Sequence, residues 1–179
     1  ERAKEAADGA KRIRDIVRDI KTFSRIHEEI KTKVSLNQVI DGAVNMATNE
    51  IKYRAMLERD YGDIPAVTAT EGRLSQLFLN RLGNAAQAID EGDVTGNEIR
   101  IRTGSNGGRV MAEIRDTGKG IRKEHMERMF DPFFTTKPKG LGTGLGLSIS
   151  QDIIERHKGT IDVQSEEGKG TVFHIRLPL

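Results

Sequence analysis

The sequence predicts an α/β fold in which amphipathic helices alternate with paired strands. Helical spacing of apolar residues marks three stretches in the body of the chain: 37–52, 71–90 and 145–157. Period-two alternation around glycine-containing turns marks two hairpins: 98–103 with 109–115, and 160–164 with 171–177. The chain has 179 residues, which suits one domain, or one domain with a helical appendage.

The composition excludes several classes of protein. Hydrophobic residues make up 36% and charged residues 31%, and the net charge of +2 does not call for a nucleic-acid partner. The absence of cysteine excludes disulfides, thiolate metal sites and a cysteine nucleophile, and fits a reducing compartment. Neither a bilayer-spanning apolar run nor a signal-peptide pattern occurs, so we expect a cytoplasmic location. Because the sequence begins on Glu1, we expect a fragment of a longer chain.

Residues 1–27 have the pattern of a long helix that needs a partner. Small and aliphatic residues recur there at alternating three- and four-residue steps: Ala3, Ala6, Ala10, Ile13, Val17 and Ile20. Such a heptad-like seam packs against another helix, and we favour this over packing on the body of the same domain.

The next segment predicts short strands around one helix. We expect strands at 33–36 and 56–61, an extended piece at 64–69, and a helix at 37–52 whose inward residues have i, i+3, i+4 and i+7 spacing. Thr70 is the expected N-cap of the following helix, with Glu71 in its first turn.

The helix predicted at 71–90 carries a polar strip beside its apolar stripe. Gln76, Asn80 and Asn84 lie at i, i+4 and i+8, so their amides share one face. Asparagine is disfavoured inside helices, and amide oxygens suit a hard cation such as Mg²⁺. A merely solvated face is the alternative interpretation.

Two further stretches indicate ligand contact. Asp116 follows a strand and precedes Gly118 and Gly120, so its carboxylate can accept a hydrogen bond from an exocyclic amine; an ordinary Asp-Gly turn is the alternative. After a short helix at 123–129, residues 131–139 read as an irregular lid whose lysines offer charge for phosphates.

Glycines at every second position from 140 to 146 then lead into the helix at 145–157. Backbone N–H groups without a neighbouring Cβ, together with the positive end of a helix dipole, favour anions. We expect Gly159 at the C′ position of this helix, so that residues 157–159 terminate it.

Together these motifs resemble the ATP-binding domain of two-component sensor histidine kinases. The N, G1, F, G2 and G3 boxes of that family match, in order, Asn80-x3-Asn84, Asp116-x-Gly118-x-Gly120, Phe130–Phe134, Gly142–Leu147 and Gly170-Thr171-x-Phe173. The resemblance covers about 33–179 and is greatest to the nitrogen-regulator branch. It divides the chain into 1–31, similar to the second helix of the dimerisation and phosphotransfer hairpin, and 32–179, the catalytic ATP-binding domain.

The resemblance implies a two-layer α/β sandwich of the Bergerat type, with a mixed sheet covered by helices on one face. It also implies ATP and Mg²⁺ as cofactors, with Asn84 and Asn80 positioning the metal. Asp116, helped by Thr171, would bind the adenine amino group. The remaining nucleotide-binding residues that it implies are Gly118, Gly120, Ile121, Lys137, Gly142, Thr143, Gly144, Leu145, Gly146 and Leu147.

The sequence departs from the family at three positions of the asparagine-bearing helix. Arg81 stands where an apolar residue is usual, and two orientations stay open for it, toward solvent or toward the nucleotide. Gly83 costs the helix about 1 kcal/mol relative to alanine. Gln87 replaces a frequent lysine and so removes one expected phosphate contact.

The implied function is that of a protein-histidine kinase that uses Mg-ATP. His27 lies at the end of the first helix, so we read it as a helix-end residue and expect the acceptor histidine upstream, with no certain catalytic residue in this fragment. The implied partners are the acceptor hairpin, a response-regulator receiver domain and a second copy through the N-terminal helix. A membrane anchor elsewhere in the full-length protein is compatible with this.

Two other functions compete. An ATP hydrolase of the same fold needs a glutamate to activate water, and Asn80 occupies that place. A nucleotide-binding interaction module that transfers no phosphate is the third interpretation, and the complete set of boxes argues against it.

Overall fold

The structure is a computed structural model that describes residues 9–10, 30–138 and 142–179. Of the helix predicted at 1–27, Gly9 and Ala10 are described, and both are helical. The heptad-like seam as a whole, and His27, lie outside the described residues.

The described chain contains a five-stranded mixed sheet and a small two-stranded sheet. The large sheet has the order β2-β4-β5-β7-β6, with β2 and β4 parallel and the other neighbours antiparallel. Its strands are β2 (Met56–Tyr61), β4 (Glu98–Asn106), β5 (Arg109–Asp116), β6 (Thr160–Glu166) and β7 (Gly170–Pro178). The small sheet pairs β1 (Thr32–Val34) with β3 (Val67–Ala69) in antiparallel orientation.

Helices cover one face of the large sheet. They are α1 (Leu36–Ile51), α2 (Glu71–Gln87), α3 (Lys123–Met126) and α4 (Gly146–Arg156). The core lies between α1, α2 and α4 and the inward residues of β4, β5 and β7, and Phe78, Leu82, Ile101 and Ile114 are almost fully buried in it. The predicted α/β fold, with a mixed sheet under a helical layer, is confirmed.

The other face of the sheet is charged. Arg100 pairs with Glu58 and Arg102 with Asp60, each at 2.8 Å, across the parallel β2–β4 ladder. Exposed pairs of this kind add little to stability, about 0–1 kcal/mol each. The stabilising apolar burial is therefore on the helical side, where the site described below also lies.

Both predicted hairpins form, and each extends beyond its predicted ends. In the β4–β5 hairpin Asn106 pairs with Arg109, and Gly107 and Gly108 both have positive φ, at 59° and 76°. A two-residue turn with two left-handed positions matches the twist of the flanking strands, which explains why glycine stands at both.

Several boundaries differ from the expectations. The strand expected at 33–36 is β1, two residues shorter at its C-terminal end. The helix expected at 71–90 ends at Gln87, and the one expected at 123–129 is the single turn α3. Thr70 is the N-cap of α2, but its side chain makes no capping bond. Its backbone N–H instead donates to Nε2 of the buried His157, at 3.0 Å.

The end of α4 corrects one glycine assignment. Residues 157–159 terminate the helix as expected, but Lys158, with φ 56°, takes the left-handed C′ position that we expected for Gly159. The N–H groups of Lys158 and Gly159 bond to the carbonyls of Glu155 and Ile154, each at 2.9 Å, which closes a Schellman motif. Glycine is required at position 159 for a different reason, because a Cβ there would lie 2.4 Å from the carbonyl oxygen of Arg176.

Candidate functional site

A cavity of about 330 Å³ opens between α2, the loop after β5, the segment leading to Lys137, the glycine loop before α4, and β7. This volume lies at the lower end of the range of small-molecule sites. Polar and charged side chains line it at two ends: Asp116 and Thr171 at the sheet end, and Asn80, Asn84, Gln87 and Lys137 at the helix end.

Asp116 is a buried carboxylate at the C-terminal end of β5. It is 4% exposed, and its Oδ1 accepts the N–H of Gly118 at 2.9 Å. Burial raises the pKa of Asp116 to about 6, although the backbone N–H groups of Gly118 and Thr171 donate to the carboxylate and oppose the rise. The Asp116 carboxylate is thus a buried hydrogen-bond acceptor on the cavity wall, with the backbone N–H groups of Gly118 and Thr171 as its donors.

Glycines let three backbone segments meet around Asp116. A Cβ at Gly118 would lie 2.6 Å from the carbonyl oxygen of Ala88, at the end of α2. At Gly120, where φ is +67°, a Cβ would lie 2.1 Å from the carbonyl oxygen of Glu166. At Gly170, where φ is +97°, a Cβ would lie 2.0 Å from the carbonyl oxygen of Asp116 itself. Side chains cannot be accommodated at these distances, so the glycines fix the position of the loop that follows Asp116.

Ser165 holds this end together, although nothing in the sequence had marked it. Its hydroxyl lies 2.9 Å from Thr171 Oγ1, accepts the N–H of Ile121 at 2.8 Å and donates to the carbonyl of Gly170 at 2.9 Å. The one available signal was its place opposite Thr171 in the closing hairpin. Ser165 therefore orients Thr171 and the loop that carries Gly120.

At the helix end, an ammonium group lies on the amide oxygens of α2. Lys137 Nζ donates to Asn84 Oδ1 at 3.1 Å and also to Gln87 Oε1. Burial lowers the pKa of Lys137, and the charges of Arg81 and Lys119 lower it further. The amide face of α2 thus already holds a cationic group in this structure, on Asn84 and Gln87.

The glycine loop presents the N-terminus of α4 to the same end of the cavity. The carbonyl oxygen of Gly146 receives three side-chain donors, from Asn80 Nδ2 and Arg81 Nη2 at 3.4 Å each and from Ser150 Oγ at 2.7 Å. These contacts hold the first residue of α4 in place, and the N–H groups of its first turn lack intrahelical acceptors. An anion at this end would meet both the N–H groups and the dipole of α4.

The segment 131–138 lies against the glycine loop. Gly144 has φ +70°, and a Cβ there would lie 2.3 Å from the carbonyl carbon of Phe133, which itself has φ 67°. Phe134 packs between His125, with ring centroids 5.5 Å apart, and the Arg128 guanidinium, 4.8 Å from its ring. The lid segment therefore contacts the glycine loop through the backbone of Phe133 and contacts His125 and Arg128 through the ring of Phe134.

Comparison with known proteins identifies the family. The sequence profile described as histidine kinase-, DNA gyrase B-, and HSP90-like ATPase matches residues 69–179, which is more than half of the chain. The chain belongs to this ATPase family. Its predicted resemblance to the ATP-binding domain of sensor histidine kinases is confirmed by the relatives that follow.

The relatives and structural neighbours are kinases by name. The chain is 36% identical over 148 residues to the sensor histidine kinase ZraS of Escherichia coli (strain K12), and 35% identical over 173 residues to sporulation kinase E of Bacillus subtilis (strain 168). These matches cover 82% and 94% of this chain but only 30% and 22% of the relatives. The chain thus spans less than a third of the length of either curated relative.

Two solved structures share the fold. The mycobacterial sensor histidine kinase MprB superposes with a TM-score of 0.72 at 26% identity, covering 83% of this chain and 97% of that one. A nucleotide-free form of the catalytic domain of histidine kinase ThkA gives 0.70 at 29% identity, covering 83% and 95%. The described fold is therefore that of a histidine kinase catalytic domain.

Most of the residues that the ATPase-family resemblance singled out lie on the cavity wall. These are Asn80, Asn84, Asp116, Gly120, Ile121, Lys137, Gly142, Thr143, Gly144, Gly146, Leu147 and Thr171. Two do not line it: Gly118 packs on Ala88, and Leu145 is 4% exposed in the core. The wall also contains Lys119, Phe134 and Phe173, which the sequence had placed in the motifs without assigning them a ligand, and His125, which lies outside the motifs.

Two expectations for α2 need correction. Arg81 points neither to solvent nor into the cavity but is buried behind the wall, 1% exposed, because it lies on the apolar stripe of α2. Gln87 was expected only to remove a phosphate contact, but its amide oxygen accepts a hydrogen bond from the Lys137 ammonium. Gln76, the third member of the amide strip, is not on the wall.

Among the described residues, no cluster of three or more His, Cys, Asp or Glu side chains is arranged to hold a metal. A metal at this site would therefore rest on amide oxygens and on the ligand itself. Within the same residues, every helix is too short or too polar to traverse a bilayer.

Proposed function

We propose that this domain binds Mg-ATP in the described cavity and transfers its γ-phosphate to a histidine on a hairpin helix, for relay to an aspartate of a response-regulator receiver domain. Binding of ATP is the property of the ATPase family. The metal, the acceptor and the relay are the parts that we propose.

One observation carries the proposal. A single cavity has a buried carboxylate at one end and, at the other, amide oxygens already in contact with an ammonium group beside a helix N-terminus. The first end suits an amine-bearing purine and the second a metal-bound polyphosphate. ATP is a molecule that presents both groups in that order.

The residues have separate tasks in this proposal. Asp116 accepts a hydrogen bond from the adenine amino group, and Thr171, which Ser165 orients, supports the contact. Gly120 and Ile121 border the base. Asn84, with Asn80, holds the metal through its side-chain oxygen, as hard cations prefer.

The phosphates lie at the N-terminus of α4, where the backbone from Gly142 to Leu147 approaches them closely. Lys137 then leaves Asn84, because a metal ion on the same amide oxygen repels its ammonium, which moves to the terminal phosphates. Phosphoryl transfer needs mainly positioning and charge neutralisation, so a site with no protein nucleophile suffices for this half of the reaction.

Transfer is favoured over hydrolysis by the charges of the wall. Asp116 is the one carboxylate among the described residues that line the cavity, and it belongs to the adenine end. Hydrolysis needs a general base beside the attacking water, and Asn80 cannot act as one. Water is therefore a poor substrate here, and a separate nucleophile must be brought to the phosphate.

The acceptor and the partners complete the proposal. We place the acceptor histidine in a hairpin helix upstream of this sequence and treat 1–31 as the second helix of that hairpin, which dimerises in the full-length protein. Residues 32–179 then form the catalytic unit, acting in the cytoplasm. One of the two relatives is named a sensor histidine kinase, and this name supports such a two-component role.

The test is phosphotransfer from ATP labelled on the γ-phosphate. The chain is incubated with Mg-ATP and a separate hairpin that carries the candidate histidine. We expect acid-labile, base-stable label on the hairpin and none without Mg²⁺. Phosphate release without labelled protein would favour the hydrolase, and nucleotide binding with neither product would favour the interaction module.

A further inference from the structure

Arg81 is a buried cation that has no charged partner among the described residues. It lies on the apolar stripe of α2 between Phe78 and Leu82, and 1% of it is exposed. Its Nε and Nη1 atoms are buried without a hydrogen-bond partner, and no ion pair in the described chain includes it. Burial of an unpaired charge is costly, so a role beyond packing is required.

The guanidinium group lies directly behind the cavity wall. Its carbon stands 4.8 Å from the centre of the Phe173 ring, and its Nη2 donates to the carbonyl of Gly146 at 3.4 Å. Phe173 and Gly146 both line the cavity, the second at the N-terminus of α4. Only one layer of atoms therefore separates the charge from the end assigned to phosphates.

The neighbouring charges have the same sign. Lys137, whose ammonium lies on the cavity wall against Asn84, is a second basic side chain at the part of α2 that carries Arg81. Two cationic groups so placed repel one another across a poorly solvated region. A polyanion bound between them and the N-terminus of α4 would relieve this repulsion.

We propose that Arg81 positions the phosphate chain of a bound nucleotide without touching it: its buried charge attracts the phosphates through the wall, and its bond to Gly146 orients the first turn of α4. This inference rests on the proposed nucleotide site. It predicts that Arg81 contributes more to affinity as the number of phosphates increases, and that the free protein is less stable because of it.

The test measures the affinities of ATP, ADP, AMP and adenosine at constant Mg²⁺ for the wild type and for Arg81→Met, which fits the apolar stripe. We expect Arg81→Met to weaken ATP binding by about tenfold or more, ADP binding by less, and adenosine binding hardly at all. Thermal unfolding without nucleotide should show a higher midpoint for Arg81→Met than for the wild type.

Two further variants separate charge from packing. Arg81→Lys keeps the charge and should retain most of the ATP-to-adenosine affinity ratio. Arg109→Met removes an exposed arginine at the far end of β5 and should change neither the ratio nor the unfolding midpoint.

Three results would overturn the inference. They are an unchanged ATP-to-adenosine ratio in Arg81→Met, an equal loss for all four ligands, and a lower midpoint or failure to fold for Arg81→Met and for Arg81→Leu alike. The last two would make Arg81 a structural residue. A wild-type chain that binds none of the four ligands would instead refute the proposed function.

Discussion

Replacing Asp116 by asparagine should make the stability of the free domain respond differently to pH. The pKa of Asp116 is raised from 3.8 to about 6 by burial. A carboxyl whose pKa is higher in the folded than in the unfolded chain stabilises the fold while it is protonated, below pH 3.8, and this contribution is lost as the pH rises through 6. At neutral pH the ionised Asp116 therefore destabilises the free domain.

The size of the effect follows from the two pKa values. Their difference corresponds to about 3 kcal/mol of unfolding free energy when the pH is well above 6. At pH 4.5 the unfolded chain is already largely ionised, and about 1 kcal/mol of the difference has developed. The gap in stability between Asp116→Asn and the wild type should therefore shift by about 2 kcal/mol in favour of the variant between pH 4.5 and 7.5.

Urea unfolding of both proteins at the two pH values measures this shift. The comparison between pH values cancels any constant effect of the amide, such as the loss of one acceptor for the N–H groups of Gly118 and Thr171. Asp63→Asn, at an exposed site, is the control and should show almost no shift, because solvent screens its charge. A shift for Asp116→Asn below about 0.5 kcal/mol, or in the opposite direction, would show that the pKa of Asp116 is not raised by burial.

The remaining predictions concern the cation site, the lid and the end of α4. Asn84→Asp should reduce phosphotransfer by at least about 100-fold, because the new carboxylate would pair with Lys137 and repel phosphates, while Asn45→Asp, exposed on α1, should remain active; an active Asn84→Asp protein contradicts the metal assignment. Gly144→Ala should abolish phosphotransfer with little change in circular dichroism, since its Cβ meets the Phe133 backbone at 2.3 Å, whereas Gly168→Ala, also at positive φ but with open space around it, should retain activity. His157→Ala should lower the free energy of unfolding in urea by about 2 kcal/mol, because it leaves the partly buried Thr70 N–H without an acceptor; a loss under about 0.5 kcal/mol would show that water replaces that bond. Hydrogen exchange in residues 131–138 should slow on addition of Mg-ATP, and unchanged exchange would count against Lys137 as a ligand of the phosphates.

Local pattern was sufficient for most of the fold. The period of the apolar residues placed α1 and α2, and glycine turns placed both hairpins, because these elements are determined by neighbours close in sequence. Two features depend on distant contacts and were not predictable in this way. They are the parallel pairing of β2 with β4, and the separate sheet of β1 and β3.

The end of α4 shows why glycine positions are ambiguous in sequence. Gly159 looked like a left-handed C′ residue, which is the common use of a glycine there. The structure needs glycine at 159 because β7 passes too close for a side chain, and Lys158 adopts the left-handed conformation instead. Sequence alone cannot distinguish a glycine required by φ from one required by space.

The candidate site could be predicted as a set of residues but not as a network. The motifs selected the glycines, Asp116 and the two asparagines because their chemistry is specific to phosphate, amine and metal contacts. Ser165 and Gln87 were not recognised as part of the site, since their roles depend on which side chain faces them across the fold. Arg81 was noticed as unusual, and its place on the apolar stripe of α2 accounts for its burial, but its contacts with Phe173 and Gly146 depend on residues distant in sequence.

The most direct test of the proposed site is a crystal structure of the chain with Mg²⁺ and a non-hydrolysable ATP analogue. We expect the adenine amino group on Asp116, the metal on the side-chain oxygen of Asn84, and Lys137 moved from Asn84 to the terminal phosphates. A nucleotide bound in the reverse direction, or a metal that does not contact Asn84 while Lys137 stays in place, would contradict this expectation.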